Sequence, residues 1–144
     1  MYGKCSVAII AMTLFVVCPS SSTAQRLKLS GGPVVIDLDP IIHPVGEDGS
    51  SQLQWNKIRS PSKIVVSSSS AEQRFELFVD ATSVQRGDPV GELSLVSGAA
   101  AQDLVVGITE RAAGRCTLIY RASARAEDGH GEETHTVTYT ITGQ

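Results

Sequence analysis

The chain has 144 residues, 12 of them basic and 15 acidic, for a formal charge of −3. One domain is expected at that length, and weak acidity with only 5% aromatic residues argues against the basic face and stacking platforms of a nucleic-acid binder. Hydrophobic residues at 42% against 19% charged argue against global disorder.

The first predicted element is a leader. Lys4 places one positive charge near the start, Val7 to Val17 form an apolar run, and Ser22-Thr23-Ala24 supply small residues at positions −3 and −1. Those three parts define a secretory signal peptide over residues 1–24, cleaved between Ala24 and Gln25. The apolar run has 11 residues, well short of the roughly 20 that a membrane-spanning helix needs. Cys18 raises an alternative, a lipoprotein anchored at that cysteine. Val17, Val16 and Phe15 stand before it, where the bacterial lipobox has a small residue. The mature chain, 25–144, is then 120 residues long; losing Lys4 leaves 11 basic against 15 acidic residues, a net charge of −4. It keeps one cysteine, Cys116, so no internal disulfide is available and stability must come from a hydrophobic core.

From residue 26 onward, apolar residues recur mostly at every second position, the period of a strand with one buried face. Strands are predicted over 26–30, 33–38, 51–59, 63–67, 74–81, 92–96 and 102–108. Gly31-Gly32-Pro33, Gly46-Glu47-Asp48-Gly49, Arg86-Gly87-Asp88-Pro89 and Ala113-Gly114 read as turns between them. Asp39-Pro40 ends a strand, the four serines at 67–70 fit a loop, and Ala99-Ala100-Ala101 fits at most a short helical turn. Two stronger strands close the chain. In 116–124 the even positions carry Cys116, Leu118, Tyr120, Ala122 and Ala124, with Ile119 the apolar exception on the other face. In 134–142, Val137, Tyr139 and Ile141 alternate with threonines, a pattern suited to a half-buried strand. With the polar loop 127–133 between them, they are expected to form a long terminal hairpin. Seven to nine short strands in about 120 residues predict an all-β, immunoglobulin-like antiparallel β-sandwich as one domain, with a small β-barrel as the alternative.

The final third resembles a group of small exported bacterial β-sandwich proteins of unknown function. The residues that carry the resemblance are Leu104-Val105-Val106-Gly107-Ile108, then Thr117-Leu118-Ile119-Tyr120, then a Gly-rich loop and Thr136-Val137-Thr138-Tyr139-Thr140-Ile141-Thr142. It covers about 40 residues, implies a sandwich and an envelope location, and brings no activity with it.

Few residues suggest chemistry. Cys116 has Arg115 beside it, but its inward strand phase predicts a small buried hydrophobe rather than a reactive thiol or an intermolecular bridge. No Gly-x-Ser-x-Gly elbow exists, although residue spacing leaves open a triad assembled in space. His130, Glu132 and His135, with Glu127, Asp128 and Glu133 nearby, are the only candidates for a metal site; they lack the His-Glu-x-x-His pattern and the calcium-loop alternation. A solvated acidic loop is the plainer reading. Tyr120, Tyr139 and Phe75 fall in inward strand phases, and Trp55, the one aromatic that could serve a binding surface, is also expected to be buried. Leu27 and Leu29 form a short alternating segment that either pairs with a neighbouring molecule's sheet edge or serves as the domain's own first strand, the latter being expected.

These readings lead to an exported, non-enzymatic β-sandwich, secreted, periplasmic or at the cell surface, with a binding or assembly role such as a surface-structure subunit. The expected partner is a protein or envelope component, self-association included, with no nucleic acid, no cofactor and no membrane span in the mature chain. The alternative is a metal-binding accessory protein or enzyme centred on the loop at 127–135.

Overall fold

Alternation of apolar and polar residues becomes, in three dimensions, strands with one dry face. The computed structural model describes residues 5–10, 25–128 and 131–144. Most of the expected leader, with Cys18 and Ala24, lies outside the described residues, as does His130. In chain order the strands are β1 (Cys5–Ile10), β2 (Arg26–Ser30), β3 (Val34–Leu38), β4 (Val45–Asn56), β5 (Ser62–Ser69), β6 (Glu76–Thr82), β7 (Asp88–Pro89), β8 (Leu93–Ser94), β9 (Gln102–Ile108), β10 (Gly114–Ser123) and β11 (Glu133–Gly143). A 3-10 turn, Ala126–Asp128, precedes β11. All nine strands predicted from residue 26 onward are present. The additional ones are β1 and the two-residue β7, which falls where a turn was expected.

The strands make two sheets, one in the order β3-β1-β11-β5-β9-β7 and one in the order β2-β4-β10-β6-β8. The fold is a β-sandwich, not a closed barrel. All pairings are antiparallel except β1 with β11, which is parallel. Inward rows from the two sheets meet in one core. Ile64, Val66, Leu104, Val137, Tyr139 and Ile141 face Leu53, Trp55, Leu77, Val79, Leu118 and Tyr120, all buried. At its centre the Tyr120 and Tyr139 hydroxyls hydrogen-bond across the sheets at 2.5 Å. Tyr139→Phe leaves the Tyr120 hydroxyl without that partner and is expected to cost about 1–3 kcal/mol, read from urea denaturation midpoints.

Four sequence expectations need correction. The terminal hairpin does not form: β10 pairs with β4 and β6, whereas β11 pairs with β5 and β1. Both strands carry an apolar row, and facing each other across the core buries both rows. The connection between them switches sheets. Gly46 and Gly49 are not turn residues but lie inside β4, where they allow close approach. A Cβ on Gly46 would stand 2.6 Å from Ile36 Cγ2, and one on Gly49 2.8 Å from Ile119 Cδ1. The second contact explains the apolar exception in β10. Ile119 sits at a register shift between β10 and β4 and covers the bare Gly49 backbone. Finally, Ser67, Ser68 and Ser69 continue β5 instead of forming a loop, and the three alanines after Gly98 form no helical turn.

Asp39 ends β3 as anticipated. Its carboxylate Oδ1 accepts from the backbone N–H of Ile41 (2.9 Å) and Ile42 (3.1 Å), an Asx turn that reverses the chain toward β4.

Candidate functional site

The inward row of β11 begins with two polar residues. Glu133 and His135 share the phase of Val137, Tyr139 and Ile141, so the strand period turns both into the interior, at 3% and 0% exposure. His135 Nε2 hydrogen-bonds Glu133 Oε1 at 2.5 Å, and on the other side of the ring Nδ1 hydrogen-bonds the Ser68 hydroxyl at 3.3 Å. The other carboxylate oxygen, Oε2, accepts from the backbone N–H of Arg74 (2.6 Å) and Phe75 (3.3 Å), which lead into β6 on the opposite sheet. One carboxylate thus joins both sheets and satisfies buried donors from each.

Hydroxyl, imidazole and carboxylate follow one another as in acyl-transfer triads. Here the serine is buried and both carboxylate oxygens are engaged. This arrangement is a clasp between sheets, with Ser68 Oγ facing the interior rather than a cleft.

Beside this clasp lies the edge architecture of the six-stranded sheet. Strand β1 runs between β3 and β11, with Val7, Ala8, Ile9 and Ile10 opposite Glu133, Thr134, His135 and Thr136. On its other side, positions 5–9 stand opposite Leu38, Asp37, Ile36, Val35 and Val34. Through β1 alone does β3 join this sheet. Yet β3 carries Val34, Ile36 and Leu38 into the core at 2–3% exposure.

Of the sequence candidates, the two among the described residues, Glu132 and His135, are not brought together. Glu132 is exposed just before β11, whereas His135 is enclosed. Among the described residues no three His, Cys, Asp or Glu side chains converge as metal ligands. Cys116 is buried, and burial pushes its thiol up to about 11. Burial likewise raises the Tyr120 hydroxyl to about 12, and Tyr139 lies well above its ordinary value. Raised acids hold their protons more tightly in the folded state. Their stabilising contribution is therefore complete below the unfolded values of 9.0 and 10.0 and is lost as pH rises through the folded ones. Cys116 alone is expected to lower stability by on the order of 2 kcal/mol between pH 8 and 11, with the two tyrosines adding to that loss above pH 10, measured by denaturant titration, and Cys116 should resist thiol reagents until the protein unfolds.

Trp55 is buried, as predicted. Its Nε1–H has no hydrogen-bond acceptor among the described residues, and its ring backs an open cleft of about 350 Å³ bordered by Gln54, Asn56, Gln85 and Arg115. On the outer face, Arg121 lies 4.1 Å above the Phe78 ring and donates to both carboxylate oxygens of Glu92, at 2.9 and 2.6 Å. That hydrogen bonding holds the Glu92 carboxyl below its usual range. Leu27 is buried and β2 pairs with β4, so residues 26–30 form a strand of the domain's own sheet, second in chain order after β1. Sequence reading missed the clasp and the position of β1. The phase shared by residues 133, 135 and 137 was a usable signal for the clasp. For β1 there was none, because an apolar run that reads as a leader does not announce a strand.

Among the described residues, no helix is long and apolar enough to cross a membrane. Neither protein-family models nor curated proteins match the chain.

Proposed function

We propose that this protein is an exported, non-enzymatic β-sandwich of the bacterial cell envelope or extracellular space that works by binding or assembly, as a subunit of a surface structure would. The observation that carries this reading is the place of β1. A segment with the composition of an export leader lies within the sheet between β3 and β11, so export with cleavage after Ala24 would remove a strand from the fold. A sheet opened in this way exposes two rows of unpaired backbone groups, and such edges recruit other strands. Domains with exposed edges are commonly blunted by charge or proline; here Val34, Ile36 and Leu38 line the inner side of one edge.

The test is to fractionate producing cells, read the N-terminus of the native protein by mass spectrometry and run it unboiled on a non-reducing gel. The expected result is a chain beginning at Gln25, in the envelope or medium, within a species larger than one subunit. A cytosolic monomer that retains Met1 would overturn the reading.

A further inference from the structure

We propose that the place now held by Cys5–Ile10 is a strand-acceptor site, filled after leader removal by an extended segment of another protein chain with bulky apolar residues at alternate positions. The inference rests on the export reading for its biological setting, but its geometry stands on three independent facts. First, β3 and β11 are each hydrogen-bonded to β1. Neighbouring strands lie about 4.8 Å apart, so loss of β1 leaves a gap of about 10 Å, one strand wide, between them. Second, the rim is dry. Val34, Ile36 and Leu38 on β3, and Val137 further along β11, are buried, and the clasp residues Glu133 and His135 stand at the same rim. Third, the register fixes what fits. Positions 5, 7 and 9 stand opposite Leu38, Ile36 and Val34, and directly opposed residues of paired strands share a face. An incoming strand that takes this register therefore turns alternate residues to the core, which calls for apolar side chains there and tolerates polar ones between. Five or six residues suffice, because β1 spans six and its ladder with β3 spans Val34–Leu38.

The occupant's role is thus to complete the fold from outside, with backbone hydrogen bonds giving affinity and alternate side chains giving selectivity. In the full chain, the leader segment serves as placeholder and keeps the edges paired.

The test uses the full chain with a specific protease site introduced between residues 11 and 24. After cutting, the protein is offered a fluorescent peptide with the sequence of residues 3–12, or the same peptide bearing Val7→Asp and Ile9→Asp. The expected result is that the cut segment stays bound, that the labelled peptide replaces it at one per chain, and that the Asp peptide binds at least tenfold more weakly. In a second full-chain variant, Ala8→Cys with Val35→Cys, positions opposite each other in the register, oxidation should lock the segment and abolish peptide uptake after cutting. Departure of the segment without uptake of peptide, equal uptake of both peptides, or undiminished uptake by the locked variant would each overturn the proposal. So would exchange of segments between two copies to give a stable dimer. None of these readouts depends on localisation, so failure here is distinct from failure of the export reading.

Discussion

Replacing Glu133 by alanine is expected to destabilise the protein by about 3–5 kcal/mol, because several donors lose their acceptor at about 1–3 kcal/mol each. The carboxylate receives the His135 imidazole and two backbone N–H groups from the approach to β6. Its loss removes the acceptor of three donors at once, two of them buried, and a buried donor that loses its acceptor costs free energy. Against a typical total stability of about 5–15 kcal/mol, that change removes a large share. Glu133→Gln keeps one acceptor oxygen, restores part of the network and should cost roughly half as much or less. Guanidinium denaturation of both variants separates the two. Equal stability of Glu133→Ala and the parent would show that the clasp does not hold the sheets.

The second large effect is expected at Trp55. The ring is 1% exposed and stacked against Gly114. Trp55→Ala removes the largest buried side chain and should cost about 3–5 kcal/mol. A side chain on Gly114 tests the same contact from the other direction, because a Cβ there would collide with the Gln85 carbonyl oxygen and the Trp55 ring. Backbone cannot yield as a flexible side chain does, so Gly114→Ala should cost about 1–3 kcal/mol. Trp55→Phe offers the informative contrast. It removes an N–H that has no acceptor among the described residues, so its loss of volume is partly offset and the cost should fall well below that of alanine. Thermal melts monitored by far-ultraviolet circular dichroism report all three.

Strand positions were legible because alternation is a local signal. Residues such as Val137, Tyr139 and Ile141 declare a buried face wherever the strand ends up. Which sheet a strand joins is not local. Nothing within 116–124 or 134–142 distinguishes a hairpin from two strands facing each other, and the structure chose the second because both apolar rows then share one core. The glycines at 46 and 49 misled for a related reason. A turn and a close approach both call for a missing Cβ, and only the partners, Ile36 and Ile119, tell them apart. His135 was drawn toward the acidic loop by its neighbours in sequence, although its phase with Val137 already placed it inside. Cys116 and the aromatic residues were read correctly because their phase and their chemistry agreed.

Strand β1 has one further consequence, which is mechanical. It is parallel to β11 on one side and antiparallel to β3 on the other, so a segment in that place is gripped along both of its edges. Tension along such a segment loads both ladders in shear, and their hydrogen bonds must yield together. A strand attached at an outer edge by one ladder, pulled from its end, peels away one bond at a time. A chain of subunits joined through this place would therefore resist pulling along its length far better than the modest number of bonds in any single joint suggests.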